Sequence, residues 1–445
     1  MADAGNVHLE QVASKCWLLR FDKDGACVSP ETRAALLASL GAQPPGRVVL
    51  ISHGWNSDFG DAVDLYTRFM RHVETLVAGD PDGTIVVVGV LWPSSLAPAD
   101  KGPVIAGTTV IPDNPSDPAR MLVDAIADRA ARDAIETLLG KPVIDANEAE
   151  ALARYVTAAL RADGAGAPSE AVEDNPDSID VLAAMRALAS AGEEEPDWDA
   201  WTTAPAEGAA TTPLAGGPAA ASLFGIDPIM AVRVFTVYQM KDRAGRVGTQ
   251  GVRALLDDLL AQTHHKIHCV GHSYGCKVLL SAVCRDAPPI RPVESMLLLE
   301  PAISHLCFAA TVPGRAGPGG YRAVLSEAYV VQPLYSTYSR WDMPLHTIFH
   351  LALRRAADLG ELRTAAGEGT SAGVPPSVYC ALGGYGPRGA GEALIDPLPA
   401  AGTTYQLAPG HRMYAFDGSA DKRIAGHGDV STAATGWALV EQMRT

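Results

Sequence analysis

The sequence predicts an α/β fold: a mostly parallel central sheet with helices on both faces, plus a mainly helical insertion. Two observations predict the sheet. Short runs that are apolar at consecutive positions recur along the chain, as strands covered on both faces require. Segments with a helical spacing of apolar residues separate the early runs, giving the order strand, helix, strand of a parallel sheet.

The first strand is expected over 16–21, followed by the turn signal Asp24-Gly25. Ser29-Pro30 then reads as an N-cap with proline at the first helical position, and Gly41 stops that helix. Residues 47–52 form a buried strand that breaks at His53-Gly54-Trp55. Val63, Tyr66, Phe69, Met70, Val73 and Val77 follow a helical period, so a helix covers about 60–78. Residues 84–91 are the most strand-like run and stop at Trp92-Pro93.

From about 94 to 222 the character changes. Ala-rich and acid-rich helical stretches lie near 118–139, 146–162 and 178–191, with no strand between them. The acidic run 193–199 and the Ala/Gly/Thr/Pro-rich run 203–221 read as linker, the acids as a solvated face. Strand chemistry resumes afterwards, so the chain divides into a core, 1–93 and 223–445, and an insertion, 94–222. Within the second core segment, helices are expected over 224–240 and 252–260, with a break at 241–246. A strand over 267–270 and a helix from Cys276 to Val283 follow. Further strands are expected at 295–301 and around Tyr335, then a helix to about Ala357. Residues 364–409 read as long loop, 413–416 as a last strand and 432–443 as a closing helix.

Composition sets the outer bounds. The 445 residues are 47% hydrophobic, enough for a sizeable core, and the net charge of −16 disfavours nucleic acid and anionic membranes as partners. No apolar run approaches the roughly 18 residues that a membrane span needs. The first residues carry no basic and apolar leader pattern, and the seven cysteines are scattered with no CxxC, which together point to reduced thiols in a cytoplasmic protein.

The chemistry centres on Gly271-His272-Ser273-Tyr274-Gly275, between the 267–270 strand and the following helix. A serine between two glycines at a strand-to-helix turn is the nucleophile-elbow pattern, in which a tight turn lifts the hydroxyl to the end of the strand. A second copy of the pattern, Gly369-Thr370-Ser371-Ala372-Gly373, has neither strand nor helix beside it and reads as loop. Gly384-x-Gly386-x-x-Gly389 contains Pro387 and follows no strand, so it is no nucleotide fingerprint.

Serine is a poor nucleophile without a base, the base needs a carboxylate to orient it, and the developing oxyanion needs N–H donors. In a parallel sheet these groups come from loops at the carboxyl ends of strands. Four loops qualify: His53-Gly54-Trp55 for the oxyanion; the elbow, with the Tyr274 N–H facing the same site; Asp342 past a late strand; and His427, between glycines after the last strand. His53, His272 and Trp92 are assigned to the pocket; His53 also belongs to the oxyanion turn, where its role is structural, and His272 is the variable elbow position, packed or pointing into the site. His264, His265 and His268 cluster without a carboxylate or cysteine at ligand spacing and read as exposed loop or strand-edge histidines, so no metal and no cofactor is expected. His411 competes with His427 but precedes the last strand.

In chain order Ser, Asp, His, this set resembles the α/β-hydrolase superfamily over roughly 1–93 and 223–445. The resemblance implies Ser273 as nucleophile, His427 as general base and acid, Asp342 as its orienter, and the backbone N–H groups of Trp55 and Tyr274 as oxyanion donors. Glu300, after the preceding strand, is the alternative acid; Asp417 is a further one, and Asp429 reads as a turn or cap residue. The implied activity is hydrolysis of a small-molecule or lipid-like ester, esterase- or lipase-like, with the 94–222 insertion as a lid and Trp55, Tyr274 and Trp92 as an apolar wall. The alternatives are an acyltransferase or amidase with the same triad, or an inactive hydrolase fold kept for interactions.

Overall fold

The computed structural model describes residues 6–44, 46–55, 57–77, 85–94, 118–163, 181–191, 225–313, 317–349, 375 and 377–444. Among these residues nine strands form one sheet: β1 Asn6–Val7, β2 Lys15–Arg20, β3 Arg47–Ser52, β4 Ile85–Leu91, β5 Lys266–His272, β6 Ser295–Leu299, β7 Leu334–Tyr338, β8 Ala393–Ile395 and β9 Met413–Asp417. Their order across the sheet is β1-β2-β4-β3-β5-β6-β7-β9-β8. Every neighbouring pair is parallel except the short β1, which is antiparallel to β2. The fold class is therefore α/β with a mostly parallel sheet.

Both faces of the central strands are buried, which is why their sequences do not alternate. Val48 and Leu50 of β3 and Val86, Val88 and Val90 of β4 belong to one core. Val49 and Ile51 of β3 and Ile85, Val87 and Leu91 of β4 belong to the other. Helices α1 Pro30–Gly41, α7 Ile229–Arg246, α8 Arg253–Gln262 and α9 Tyr274–Val283 feed the first core. Helix α2 Phe59–Val77 and the closing helix α11 Ala433–Arg444 feed the second, through Leu65, Phe69, Met70, Trp437 and Leu439. A four-residue helix, α10 Leu382–Tyr385, lies between β7 and β8 in the chain.

The described part of the insertion is helical: α3 Pro118–Asp124, α4 Arg129–Leu139, α5 Ala146–Asp163 and α6 Val181–Ala191. Helices α3, α5 and α6 pack on α7, which packs on α9. Leu122, Ile135, Leu152, Val156 and Met185 are buried in the same core cluster as α7 and α9. The acidic run 193–199, the run 203–221, Ser371 with its flanking glycines, and the expected helix beyond 349 lie outside the described residues.

Three local expectations are corrected. Ser29 does not cap α1 with its side chain; its Oγ accepts the Arg20 N–H at 2.9 Å and ties the helix start to the end of β2, while Pro30 does open the helix. The break expected at 241–246 is absent, because Lys241, Arg243 and Ala244 are buried inside α7, which runs through a π-helical turn, Val247–Val252, into α8. The stretch 364–409 contains α10 and the edge strand β8 rather than loop alone.

Parallel register brings one set of strand ends to one edge. Ser52 of β3 pairs with Gly271 of β5, His272 of β5 with Leu299 of β6, and Tyr338 of β7 with Asp417 of β9. The chain segments holding His53, Ser273, Glu300, Asp342 and His427 all leave the sheet at that edge.

Candidate active site

Ser273 is the single residue between β5 and α9, with φ +54° and ψ −125°. A non-glycine residue at positive φ is strained by about 1–3 kcal/mol and persists only where its surroundings enforce it. Two hydrogen bonds do so here: the Ser273 N–H donates to Leu299 O of β6 at 3.0 Å, and Ser273 O accepts the Cys276 N–H at 3.1 Å. The flanking glycines have a steric reason. A Cβ on Gly271 would lie 2.7 Å from Cys276 Cα, and one on Gly275 would lie 2.3 Å from Ser52 O and 2.5 Å from His53 O. Gly54 lets the β3 turn close on the serine itself, since a Cβ there would lie 2.7 Å from Ser273 Cβ. The Ser273 Oγ is buried and makes no hydrogen bond, so a serine–histidine link is not closed in this conformation.

His427 and Asp342 are joined. The His427 Nδ1–H donates to Asp342 Oδ2 at 2.6 Å, and both side chains are fully buried. The bond fixes the tautomer in which Nε2 carries the imidazole lone pair. Asp342 is held in turn by the Leu345 N–H, which donates to its Oδ1 at 2.9 Å, and by its own main chain, whose O accepts the His346 N–H at 2.7 Å. His427 sits in a turn closed by Asp429, whose Oδ2 accepts the Ala425 N–H and whose N–H donates to Gly426 O. The turn lies against the elbow, because His272 Nε2 hydrogen-bonds His427 O at 2.8 Å and the two rings are 4.9 Å apart.

The three residues assigned to the pocket are all buried, and His53 and Trp92 brace each other. The His53 Nδ1–H donates to Gly54 O at 2.9 Å, while Nε2 accepts the Trp92 N–H at 3.3 Å. The Trp92 indole N–H returns to His53 O at 3.0 Å, and the rings stack. The His53 N–H donates to the Tyr66 hydroxyl, which donates to Val90 O, so the β3 turn is anchored to β4. Burial pushes the His53 imidazole down to about 4, so it is neutral at pH 7. Trp55 and Tyr274 are also buried, with rings 6.3 Å apart. The Tyr274 hydroxyl donates to Val237 O of α7, so its side chain runs under the helical layer while its N–H stands at the start of α9, where the helix dipole is positive.

The remaining acids and histidines have other settings. Glu300 is fully buried at φ +42°, and the imidazole of His427 bonds to Asp342 rather than to it. Asp417 is buried and accepts the Ser419 N–H. His411 bonds to Gly391 O, two residues before the start of β9 and thus at the edge opposite His427. His265 and His268 are buried, which corrects the expectation of exposed histidines. The first accepts the Gly46 N–H and contacts Leu40 O; the second meets the Ser295 hydroxyl at 2.8 Å. His264 is exposed. Among the described residues no group of three His, Cys, Asp or Glu is arranged to hold a metal, no disulfide links the cysteines, and no helix is long and apolar enough to cross a membrane.

No protein-family model, no curated protein and no solved structure matches this chain. The structural role of His53 in its turn was expected; the partners that His53 and His272 brace, Trp92 and the His427 loop, were not. The one signal from the two histidines was position: each begins or ends a glycine turn at a strand's carboxyl end.

Proposed function

We propose that the chain is a serine hydrolase of the α/β-hydrolase type that cleaves a carboxylic ester through Ser273, His427 and Asp342. The observation that carries the reading is the buried 2.6 Å bond between His427 and Asp342, in a turn that lies against the strained Ser273 elbow. A buried imidazole oriented by a carboxylate, beside a serine with an unbonded hydroxyl, is the arrangement that activates an alcohol at neutral pH.

In this reading the Ser273 Oγ attacks the ester carbonyl carbon as His427 Nε2 takes the hydroxyl proton. The carbonyl oxygen becomes an oxyanion that accepts hydrogen bonds from the Trp55 and Tyr274 N–H groups, with the α9 dipole aimed at the same charge. The tetrahedral adduct collapses, the C–O bond to the alcohol breaks, and the imidazolium returns its proton to the leaving alkoxide. Water then gives its proton to His427 as its oxygen attacks the acyl-enzyme, and collapse releases the acid and regenerates Ser273. Asp342 stays ionised throughout and stabilises the imidazolium.

The insertion serves as a cap in this scheme. It enters after β4, whose end carries Trp92, and its helices rest on α7, which packs on the helix that follows the nucleophile. Such a cap controls which esters reach Ser273.

The test is labelling with a fluorophosphonate probe, together with turnover of p-nitrophenyl esters of rising chain length. Wild type and Ser371→Ala are expected to label and to hydrolyse, and Ser273→Ala and His427→Ala to do neither. Labelling that survives Ser273→Ala would sink the assignment.

A further inference from the structure

Three carboxyl groups are buried at the carboxyl-end edge of the sheet, all with no exposure: Glu300 after β6, Asp342 after β7 and Asp417 at the end of β9. Two of them have donors. Asp342 takes the Leu345 N–H and the His427 imidazole, and Asp417 takes the Ser419 N–H. Glu300 is different. Neither of its carboxyl oxygens makes a well-formed hydrogen bond; the neutral donor near them is the Thr337 hydroxyl, which also accepts the Glu300 N–H at 3.0 Å.

The backbone holds Glu300 where it is. Its φ of +42° is one that a non-glycine residue adopts only under constraint. Gly383 of α10 presses on it so closely that a Cβ there would lie 2.5 Å from Glu300 C and 2.8 Å from its Cα. The same glycine bridges the two acid-bearing segments: its N–H donates to Pro301 O at 2.9 Å and its O accepts the Ser339 N–H at 2.9 Å. Glu300 and the Asp342 turn are thus clamped side by side.

A buried carboxylate without a donor is the least favourable state for such a group. Asp342 and Asp417 face Glu300 as negative charges; Cys276 of α9 and Tyr338 of β7 face it as neutral groups. Burial first, then the Asp342 charge and a hydrogen-bonding approach to Asp342, hold the Glu300 carboxyl well above the usual carboxylate range, with the Thr337 hydroxyl opposing them and the Asp417 charge adding to them. Two ionised carboxylates offer each other only acceptors, whereas one protonated carboxyl satisfies both.

We propose that Glu300 is a positioning residue: a neutral carboxylic acid whose O–H donates to the Asp342 carboxylate and fixes the face that Asp342 presents to His427. This rests on the hydrolase reading for its kinetic consequence but not for its protonation. Glu300 touches no reacting atom. It gives Asp342 a third donor beside Leu345 and His427, so that the carboxylate cannot turn away from the imidazole, and it does so without adding a second negative charge.

The test compares wild type, Glu300→Gln and Glu300→Leu by the pH dependence of p-nitrophenyl ester hydrolysis and by infrared spectroscopy of the unliganded protein. Glutamine keeps a donor and no charge, so kcat/KM should stay within about threefold and the acidic limb should stay in place. Leucine removes the donor, and kcat should fall about 10- to 100-fold at unchanged KM. The wild type at pH 8 should show the carbonyl stretch of a neutral carboxylic acid, absent from Glu300→Gln. An acidic limb that drops by about one pH unit or more in Glu300→Gln means that an ionised Glu300 was supporting the imidazolium, and overturns the proposal. So does absence of the infrared band. If Glu300→Leu does not fold, the glutamine variant and the band decide the matter alone. Failure of the wild type to label at Ser273 would sink the hydrolase reading instead, and the band in that same sample still reads the proton on Glu300.

Discussion

His272 and His427 are 155 residues apart in the chain, yet His272 Nε2 lies 2.8 Å from the main-chain oxygen of His427 and the two rings pack at 4.9 Å. Burial, the nearby His427 and other charges keep His272 neutral, with the bond to His427 O opposing them. A neutral imidazole that meets a carbonyl must donate, so the proton is on Nε2. The residue before the candidate nucleophile therefore props the loop of the candidate base, and an error in one loop is passed to the other.

Removing that prop should slow turnover without weakening substrate binding. His272→Leu keeps an apolar filler but deletes the donor to His427 O. A neutral hydrogen bond is worth about 0.5–1.5 kcal/mol, so kcat on a p-nitrophenyl ester should fall about 3- to 10-fold at unchanged KM. Unchanged kcat would show that the 425–429 turn holds itself through Asp429.

The elbow glycines should be intolerant for a steric reason that a matched control can isolate. In Gly275→Ala the new Cβ meets the main-chain oxygens of Ser52 and His53, which cannot rotate away. Overpacking of this kind costs about 1–3 kcal/mol, and here it also displaces the Trp55 turn. Gly41 at the end of α1 has nothing within 4 Å of an added Cβ, so Gly41→Ala should be neutral or stabilising by up to about 1 kcal/mol. Thermal unfolding of the two variants, with fluorophosphonate labelling of each, checks the contrast. Equal losses would argue against the backbone-contact explanation.

Much of this arrangement was legible in the sequence, and the exceptions have physical causes. Strands β3, β4 and β5 announced themselves because both faces are buried, and the placement of Asp342 and His427 at one sheet edge because each follows a strand in a parallel sheet. Strand β8 is only three residues at a half-covered edge, too short to leave a pattern. The sequence predicts a break in α7 because Lys241, Arg243 and Arg246 have the character of loop residues. In the folded chain the first two are buried, and the helix runs on through them. The pairing of His272 with His427 and the burial of Glu300 on the segment beside the Asp342 turn left no local trace, since each depends on strand order rather than on neighbours in the chain.

Acid should destabilise the fold through its buried histidines. Burial holds His53 down to about 4 and His268 and His305 down to about 3, with nearby arginines adding to the shift for the last two. Their folded pKa lies below the unfolded value near 6.5, so the unfolded state binds more protons between the two. Stability is full above about pH 6.5 and is lost as pH falls toward 4 and 3. Acidification from pH 7 to about pH 3 costs the folded state on the order of 3 kcal/mol for each such histidine. Glu300 has the opposite sign, because its raised carboxyl favours the folded state less as pH rises above the unfolded value. Urea unfolding at pH 7.5 and pH 5 should show a clear drop for wild type and a smaller one for His268→Gln, whose side chain cannot be protonated. Parallel losses in the two proteins would remove His268 from the account.

The described helices of the insertion should unfold with the sheet rather than ahead of it. Leu152 on α5 is fully buried and belongs to the cluster that contains Val234, Val237 and Tyr238 of α7 and Val278 and Leu279 of α9. Truncation there leaves a cavity in the core itself, and Leu152→Ala should cost about 2–5 kcal/mol. Because the cluster is continuous from α5 to the helix behind Ser273, the cost should lower the whole transition. Unfolding followed by far-ultraviolet circular dichroism and by loss of fluorophosphonate labelling should give one shared, lowered midpoint. Two separated transitions, with the labelling midpoint unmoved, would mean that α5 folds as an independent unit and that the insertion can leave the site without disturbing the nucleophile.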